Sequence, residues 1–286
     1  MPLGGGVAGG SSAGTAPAAE VPEVLSWPLD PARTGPGHLA ARIQTVGTPA
    51  LSETPIVFLH GLVGLNDHWE GVVLRVRDRF RCTMFELPLL SLAGDDCSIQ
   101  GVTRLTARFI DEKVGRPAVL VGNSFGGHVA LRIALEKPEA VAGLVLAGSG
   151  GILEKTFVAD IQIRPTREWL RRKIGELFFD QANVSEADVD RAFEELSRRS
   201  GARAMVKLSR SARRDELRDL IGRIAAPTLL IWGRQDIITP PEAAHGFASL
   251  IRHSRLEWID RCGHAPMIEA PQRFADLLAE FAGRLA

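Results

Sequence analysis

Val121-Gly122-Asn123-Ser124-Phe125-Gly126-Gly127 follows the apolar run Pro117-Ala118-Val119-Leu120-Val121 and opens into Gly127-His128-Val129-Ala130-Leu131-Arg132-Ile133-Ala134-Leu135. The run before it reads as a buried strand and the stretch after it has helical periodicity, so Ser124 falls on the turn between them. A serine on so tight a turn sits in strained backbone geometry, and the residues two before and two after it must lack bulk. Gly122 and Gly126 occupy those two positions, which makes Ser124 the expected nucleophile. A bare Gly-x-Ser-x-Gly match is a weak signal; the strand before and the helix after give it the context it requires.

A serine hydroxyl is a poor nucleophile until a base takes its proton, and the base needs a third group to fix its tautomer and stabilise its charged form. Trp232-Gly233-Arg234-Gln235-Asp236 follows the apolar run Pro227–Trp232, which puts Asp236 at the carboxyl edge of a sheet, where ligand sites collect in open α/β folds. Arg261-Cys262-Gly263-His264-Ala265-Pro266 follows the strand-like Arg255–Ile259 and places His264 on a loop at that edge. Each has a plainer reading when taken alone. Asp236, ahead of Thr239-Pro240-Pro241, suits a turn or helix cap, and His264 suits an ordinary loop histidine. Together, in the order Ser124, Asp236, His264, they make a candidate triad. A tetrahedral intermediate also needs donors aimed at its oxyanion. The N–H of Phe125, directly after the nucleophile, is one candidate; the N–H of Leu62, in Leu59-His60-Gly61-Leu62-Val63-Gly64, is the other. His60 then reads as a residue that orients this loop rather than as a base.

Working outward, Pro55–His60, Arg81–Leu87 and Val141–Ala147 are further strands. Helices are expected over His68–Arg77, with Asp67 as N-cap, and over Ile99–Val114. The βαβα rhythm implies a parallel sheet covered on both faces. Val24–Leu29 and Gly37–Val46 suggest an antiparallel hairpin ahead of it. The rhythm stops after Gly151. Residues 151–222 carry amphipathic helical patterns, the best at Arg167–Phe179 and Ser185–Ser197, the second opening close to a capping box. The expected organisation is a tail over 1–21, a first core part over 22–150, a helical cap over 151–222 and a second core part over 223–286, ending in a helix from Pro271 to Leu285.

With 286 residues, 45% of them hydrophobic, the chain can bury a large core. Its 34 basic and 34 acidic side chains cancel, so no global field draws it to nucleic acid or an anionic membrane. The expected partner is a small molecule, with the protein a monomer or homodimer. Cys82, Cys97 and Cys262 are odd in number and widely spaced, unlike a disulfide framework or zinc cluster. No metal is inferred, since no His, Cys, Asp and Glu set has ligand spacing. Residues 1–21 are mainly Gly, Ala, Ser and Pro, without the basic and apolar regions of a signal peptide, and read as a disordered tail. No stretch approaches the roughly 20 apolar residues that span a bilayer, so a cytoplasmic location is expected.

On Leu59-His60-Gly61, Gly122-Asn123-Ser124-Phe125-Gly126-Gly127, Gly233-Arg234-Gln235-Asp236 and Cys262-Gly263-His264, the chain resembles the α/β-hydrolase superfamily from about residue 22 onward. The resemblance implies an eight-stranded, mostly parallel sheet, a helical cap after the sixth strand, and hydrolysis through an acyl-enzyme without a cofactor. Within the superfamily, Gly-Asn-Ser-x-Gly-Gly and Cys-Gly-His are similar to the meta-cleavage-product hydrolases, although those usually carry a tryptophan where Ala265 stands here. Three functions follow: a serine carboxylesterase or lactonase acting on small to medium esters, a carbon–carbon bond hydrolase of 2-hydroxy-6-oxo-dienoates, and a ligand-binding receptor of the same fold with slow turnover. Trp69, Asn123, Trp169 and Phe178 are candidate pocket residues. Arg198–Arg214 holds seven basic residues and no acidic one. It reads as a solvated helix face or as a clamp for a substrate carboxylate.

Overall fold

The computed structural model describes residues 23–32, 38–47, 53–152 and 165–285. The expected tail over 1–21 lies outside them, as do the start of the Gly37–Val46 segment and residues 153–164 of the expected cap.

Eight strands form one sheet: β1 (Glu23–Pro28), β2 (Ala40–Val46), β3 (Ile56–Leu59), β4 (Cys82–Glu86), β5 (Ala118–Asn123), β6 (Val141–Ala147), β7 (Thr228–Gly233) and β8 (Ser254–Ile259), in the order β1-β2-β4-β3-β5-β6-β7-β8. β1 and β2 pair antiparallel as the hairpin expected from sequence, and β2 runs antiparallel to β4; every later pairing is parallel. The central strands read as unbroken apolar runs because both faces are covered. Their residues alternate sides accordingly. Val57, Leu59, Leu120, Leu144, Leu146 and Leu230 enter one hydrophobic cluster, while Ile56, Phe58, Val121, Val145, Leu229 and Ile231 enter the other.

The flanking helices are α1 (Asp67–Val76), α2 (Ile99–Phe109), α3 (Phe125–Glu136), α7 (Pro241–Leu250), α8 (Pro266–Glu269) and α9 (Pro271–Ala282). Asp67 is the first residue of α1 rather than its cap. Asn66 holds the N-cap position but makes no side-chain cap; its N–H bonds Glu86 Oε2 at 3.0 Å and its Nδ2 bonds Met84 O at 3.3 Å, spending the residue on the sheet. The helix expected over Ile99–Val114 stays α-helical only to Phe109, then widens into a π-turn over Ile110–Val114 that closes at Gly115.

Between β6 and β7 the described residues hold α4 (Arg167–Gly175), α5 (Glu186–Ser197) and α6 (Arg199–Arg214) and no strand. α4 stops short of the expected Phe179: Gln181 Nε2 bonds Gly175 O at 2.9 Å, and Leu177 O turns away to accept the His264 N–H at 2.7 Å. Ser185 caps α5 by accepting the Asp188 N–H, but the Asp188 carboxylate pairs with Arg191 and His68, so half of the expected capping box forms. Leu170, Val189, Ala192, Leu196 and Met205 build a small core for these helices, joined to the main body through Leu90 and Leu62.

Candidate active site

β5 and α3 meet at Ser124, whose φ of 53° and ψ of −117° lie where a non-glycine side chain is strained. The strain persists because neighbours over-determine the turn. The Ser124 N–H bonds Ala147 O at 3.1 Å, and its carbonyl accepts the N–H groups of His128 (3.1 Å) and Gly150 (3.0 Å). A Cβ on Gly122 would meet Gly126 O at 2.5 Å, and one on Gly126 would meet the Leu59 carbonyl carbon at 2.6 Å. Backbone therefore touches backbone at both positions, which is the physical content of the Gly-x-Ser-x-Gly spacing.

Asp236 follows β7 and His264 follows β8, as the sequence predicts, and the two side chains meet: His264 Nδ1 lies 2.9 Å from Asp236 Oδ2, with both residues buried. Asp236 is also the turn cap of its plainer reading, since its Oδ1 accepts the N–H groups of Ile238 (2.8 Å) and Thr239 (2.9 Å). Thr239 Oγ1 donates to Oδ2 at 2.7 Å. Burial alone would push the Asp236 carboxyl up, but the facing His264 and the hydrogen bonds from His264 and Thr239 outweigh it and hold the group below the ordinary carboxylate value. A carboxylate so held orients an imidazole through Nδ1–H and leaves Nε2 to take a proton.

The loop after β3 crosses Ser124. The Gly64 N–H bonds Gly61 O at 3.1 Å, and a Cβ on Gly61 would lie 3.5 Å from Ser124 Cβ, so Leu62 stands in a turn directly beside the serine. Phe125 is the first residue of α3, where N–H groups have no partner inside the helix. His60 is a structural residue of this loop: its Nδ1 donates to Gly61 O at 2.7 Å, and its Nε2 accepts the Leu87 N–H at 3.2 Å. Burial lowers its pKa and keeps it neutral, as that pair of bonds requires.

A cavity of about 180 Å³ lies between the sheet edge and α4–α6. Leu62, Ser124, Phe125 and His264 line one side; Trp169, Phe178, Leu196 and Met205 line the other. Trp169 and Phe178, two of the candidate pocket residues, are on this lining. Trp69 is not: it is fully buried against Phe58 and Phe274, ring centroids 5.2 and 5.8 Å away, because the row Trp69, Val72, Val73, Val76 is the core stripe of α1. Asn123 borders the cavity, but its amide donates to Ala147 O (2.9 Å) and His264 O (3.0 Å) and so ties the end of β5 to the His264 loop. Of the seven basic residues in Arg198–Arg214, Arg213 reaches the cavity lining.

Two residues of the site escaped the sequence reading. Thr239 could have been found from its place three residues after Asp236, the spacing of a side-chain-capped turn. Gly148 has φ +48°, and a Cβ there would sit 2.8 Å from His264 Nδ1 and 3.0 Å from Asp236 Oδ2; nothing in the sequence near Gly148 signals that approach. Cys82, Cys97 and Cys262 are free and buried, and burial pushes the Cys82 thiol up to about 12, so it stays a protonated, packed side chain.

Such a fold, with a serine at the strand–helix turn and an Asp–His pair on neighbouring strand ends, defines an enzyme of the serine hydrolase type. The family model for the alpha/beta hydrolase family matches residues 56–277, and the chain belongs to that family. It is 30% identical to a pimeloyl-[acyl-carrier protein] methyl ester esterase of Nitrosomonas europaea, over 77% of this chain and 92% of that protein. It is 27% identical to a 2-hydroxy-6-oxononadienedioate/2-hydroxy-6-oxononatrienedioate hydrolase of Cupriavidus pinatubonensis, over 86% and 92%. Among solved structures it is similar to MGS-MChE2, an alpha/beta hydrolase enzyme from the metagenome of lagoon sediments at Mar Chica, Morocco. The TM-score is 0.68 at 30% identity, covering 88% of this chain and 97% of that one.

Proposed function

We propose that the protein hydrolyses small to medium carboxylic esters through an acyl-enzyme on Ser124. His264 Nε2 takes the Ser124 proton as Oγ attacks the ester carbonyl, and the N–H groups of Leu62 and Phe125 hold the oxyanion. The protonated imidazole gives its proton to the departing alcohol, and a water then repeats the cycle on the acyl-enzyme. Asp236 stays ionised throughout, holding the tautomer and balancing the imidazolium charge. α4–α6 and the segment between α4 and α5 act as a cap whose apolar inner face, Trp169, Phe178 and Met205, receives the acyl or alcohol group.

The observation that carries this reading is the buried 2.9 Å Asp236–His264 pair opening on the same cavity as the strained Ser124. A second reading, cleavage of a carbon–carbon bond in a 2-hydroxy-6-oxo-dienoate, draws on one specific feature: Arg213 stands on the cavity lining, where a substrate carboxylate could pair with it. The test is kcat/KM for a short-chain p-nitrophenyl ester beside such a dienoate, each with Ser124→Ala as control. Fast ester cleavage with an inert dienoate supports the esterase. Preference for the dienoate, lost in Arg213→Ala, supports the second reading instead.

A further inference from the structure

The backbone of His264 is gripped from three directions. Asn123 Nδ2 donates to its carbonyl at 3.0 Å from the nucleophile strand, and its own N–H donates to Leu177 O at 2.7 Å in the segment after α4. The third grip comes from Glu269, at the end of α8. Its Oε2 accepts the Gly263 N–H at 2.5 Å, next to the histidine, while its Oε1 accepts the N–H groups of Phe179 (2.9 Å) and Asp180 (3.0 Å) from the segment that also supplies cavity residues Leu177 and Phe178.

Three converging N–H donors need a group with two oxygens and no hydrogen, and an ionised carboxylate is the side chain that provides it. The contact is also sterically exact in its demand on the loop. A Cβ on Gly263 would come within 2.6 Å of Leu177 O and 3.0 Å of Phe179 N, so the histidine loop and the 177–180 segment lie backbone against backbone with Glu269 bridging them. Neither Glu269 oxygen faces the cavity lining residues Ser124 or His264 as a hydrogen-bond partner in this bridge, so its effect on the reaction runs through the backbone.

We propose that Glu269 is a positioning residue: its carboxylate locks the His264 loop to the Leu177–Asp180 segment, so that the base and the cavity wall keep one common geometry. The inference rests on the reading of His264 as general base. Removal of the carboxylate frees two backbone donors on one side and one on the other, letting the imidazole drift from Ser124 and Asp236. A misplacement of about 1 Å at a reacting group costs on the order of 10²-fold in rate.

The test compares wild type, Glu269→Ala and Glu269→Gln on p-nitrophenyl acetate and on a longer-chain p-nitrophenyl ester, with rates normalised to folded protein. Glu269→Ala should lower kcat on both esters by about 10²-fold and raise KM for the longer one. The rising limb of its pH profile should move to lower pH, because an imidazolium held less closely to Asp236 is less stable. Glu269→Gln keeps a carbonyl oxygen for Phe179 and Asp180 but sets an NH2 against the Gly263 N–H. It should restore KM for the longer ester while kcat and the limb stay displaced. Unchanged kcat and an unmoved limb in folded Glu269→Ala would overturn the proposal; should that variant not fold, the same result in Glu269→Gln would do so. If Ser124→Ala turns over the esters as wild type does, it is the serine-hydrolase reading that has failed instead.

Discussion

The carboxyl edge of the sheet and the helices α4–α6 face each other across one cavity, yet they are held by different forces. At the sheet edge, backbone lies on backbone: Gly122, Gly126 and Gly148 each stand where one added carbon would strike a carbonyl or the Asp236–His264 pair. Polar groups there are buried and bonded, with Asp236 accepting from Ile238, Thr239 and His264. The helices opposite rest on a small apolar core around Leu170, Val189 and Leu196, and their outer faces carry exposed ion pairs such as Arg167–Asp190 and Arg171–Glu186. The difference teaches where substitution is tolerated. Geometry fixed by hard-core contact admits almost no change, whereas a wall of packed side chains can be resized residue by residue and so suits the choice of substrate.

That contrast can be broken at graded points. Asp236→Asn should leave the loop in place but favour the wrong His264 tautomer, lowering kcat by about 10⁴-fold, to be read from steady-state ester hydrolysis. Leu170→Ala, deep in the helical core, should cost about 2–5 kcal/mol of stability by denaturant unfolding and change KM more than kcat. Gly148→Ala puts a methyl group against the Asp–His pair at a positive φ, and a loss of about 1–3 kcal/mol together with a clear fall in kcat should follow. Arg171→Ala removes an exposed pair worth about 0–1 kcal/mol and should leave both kcat and KM as they were.

The pH dependence sharpens the same comparison. His264 must be neutral to act as base, so kcat/KM should rise with pH as its imidazole loses a proton, and Asp236, held below the ordinary carboxylate value, stays ionised across that limb. Asp188, on α5 and facing His68, is likewise held low: burial raises it, but His68 and Arg191 outweigh that. A carboxyl whose folded pKa is depressed stabilises the fold fully above its unfolded value of about 4 and loses that contribution as pH falls through the folded one. The melting temperature should therefore drop below about pH 4, less steeply in Asp188→Asn, while the kcat/KM limb of that variant stays in place.

What was legible in the sequence follows the same division. The turn at Ser124, the strands and the places of Asp236 after β7 and His264 after β8 could be read because each rests on residue types at fixed spacing within its own segment. Trp69 was misplaced although its own helical row marked it as core, since an aromatic near a site loop suits either role. Asn123 and Glu269 act through partners more than a hundred and about ninety residues away respectively, His264 and Phe179, and Gly148 approaches a pair that the chain supplies much later. Contacts of that range leave no local pattern. Asp67 failed as a cap because the neighbouring Asn66 is drawn to β4, a tertiary demand that local capping preference does not contain.

The central claim, that Ser124 is the nucleophile, is most directly tested by treating the full chain with a fluorophosphonate and locating the adduct by peptide mass spectrometry while ester turnover is followed. One adduct per chain is expected, on Ser124, with turnover lost in step and no labelling of Ser124→Ala. Persistent turnover in folded Ser124→Ala, or full inactivation with the label elsewhere, would contradict that claim.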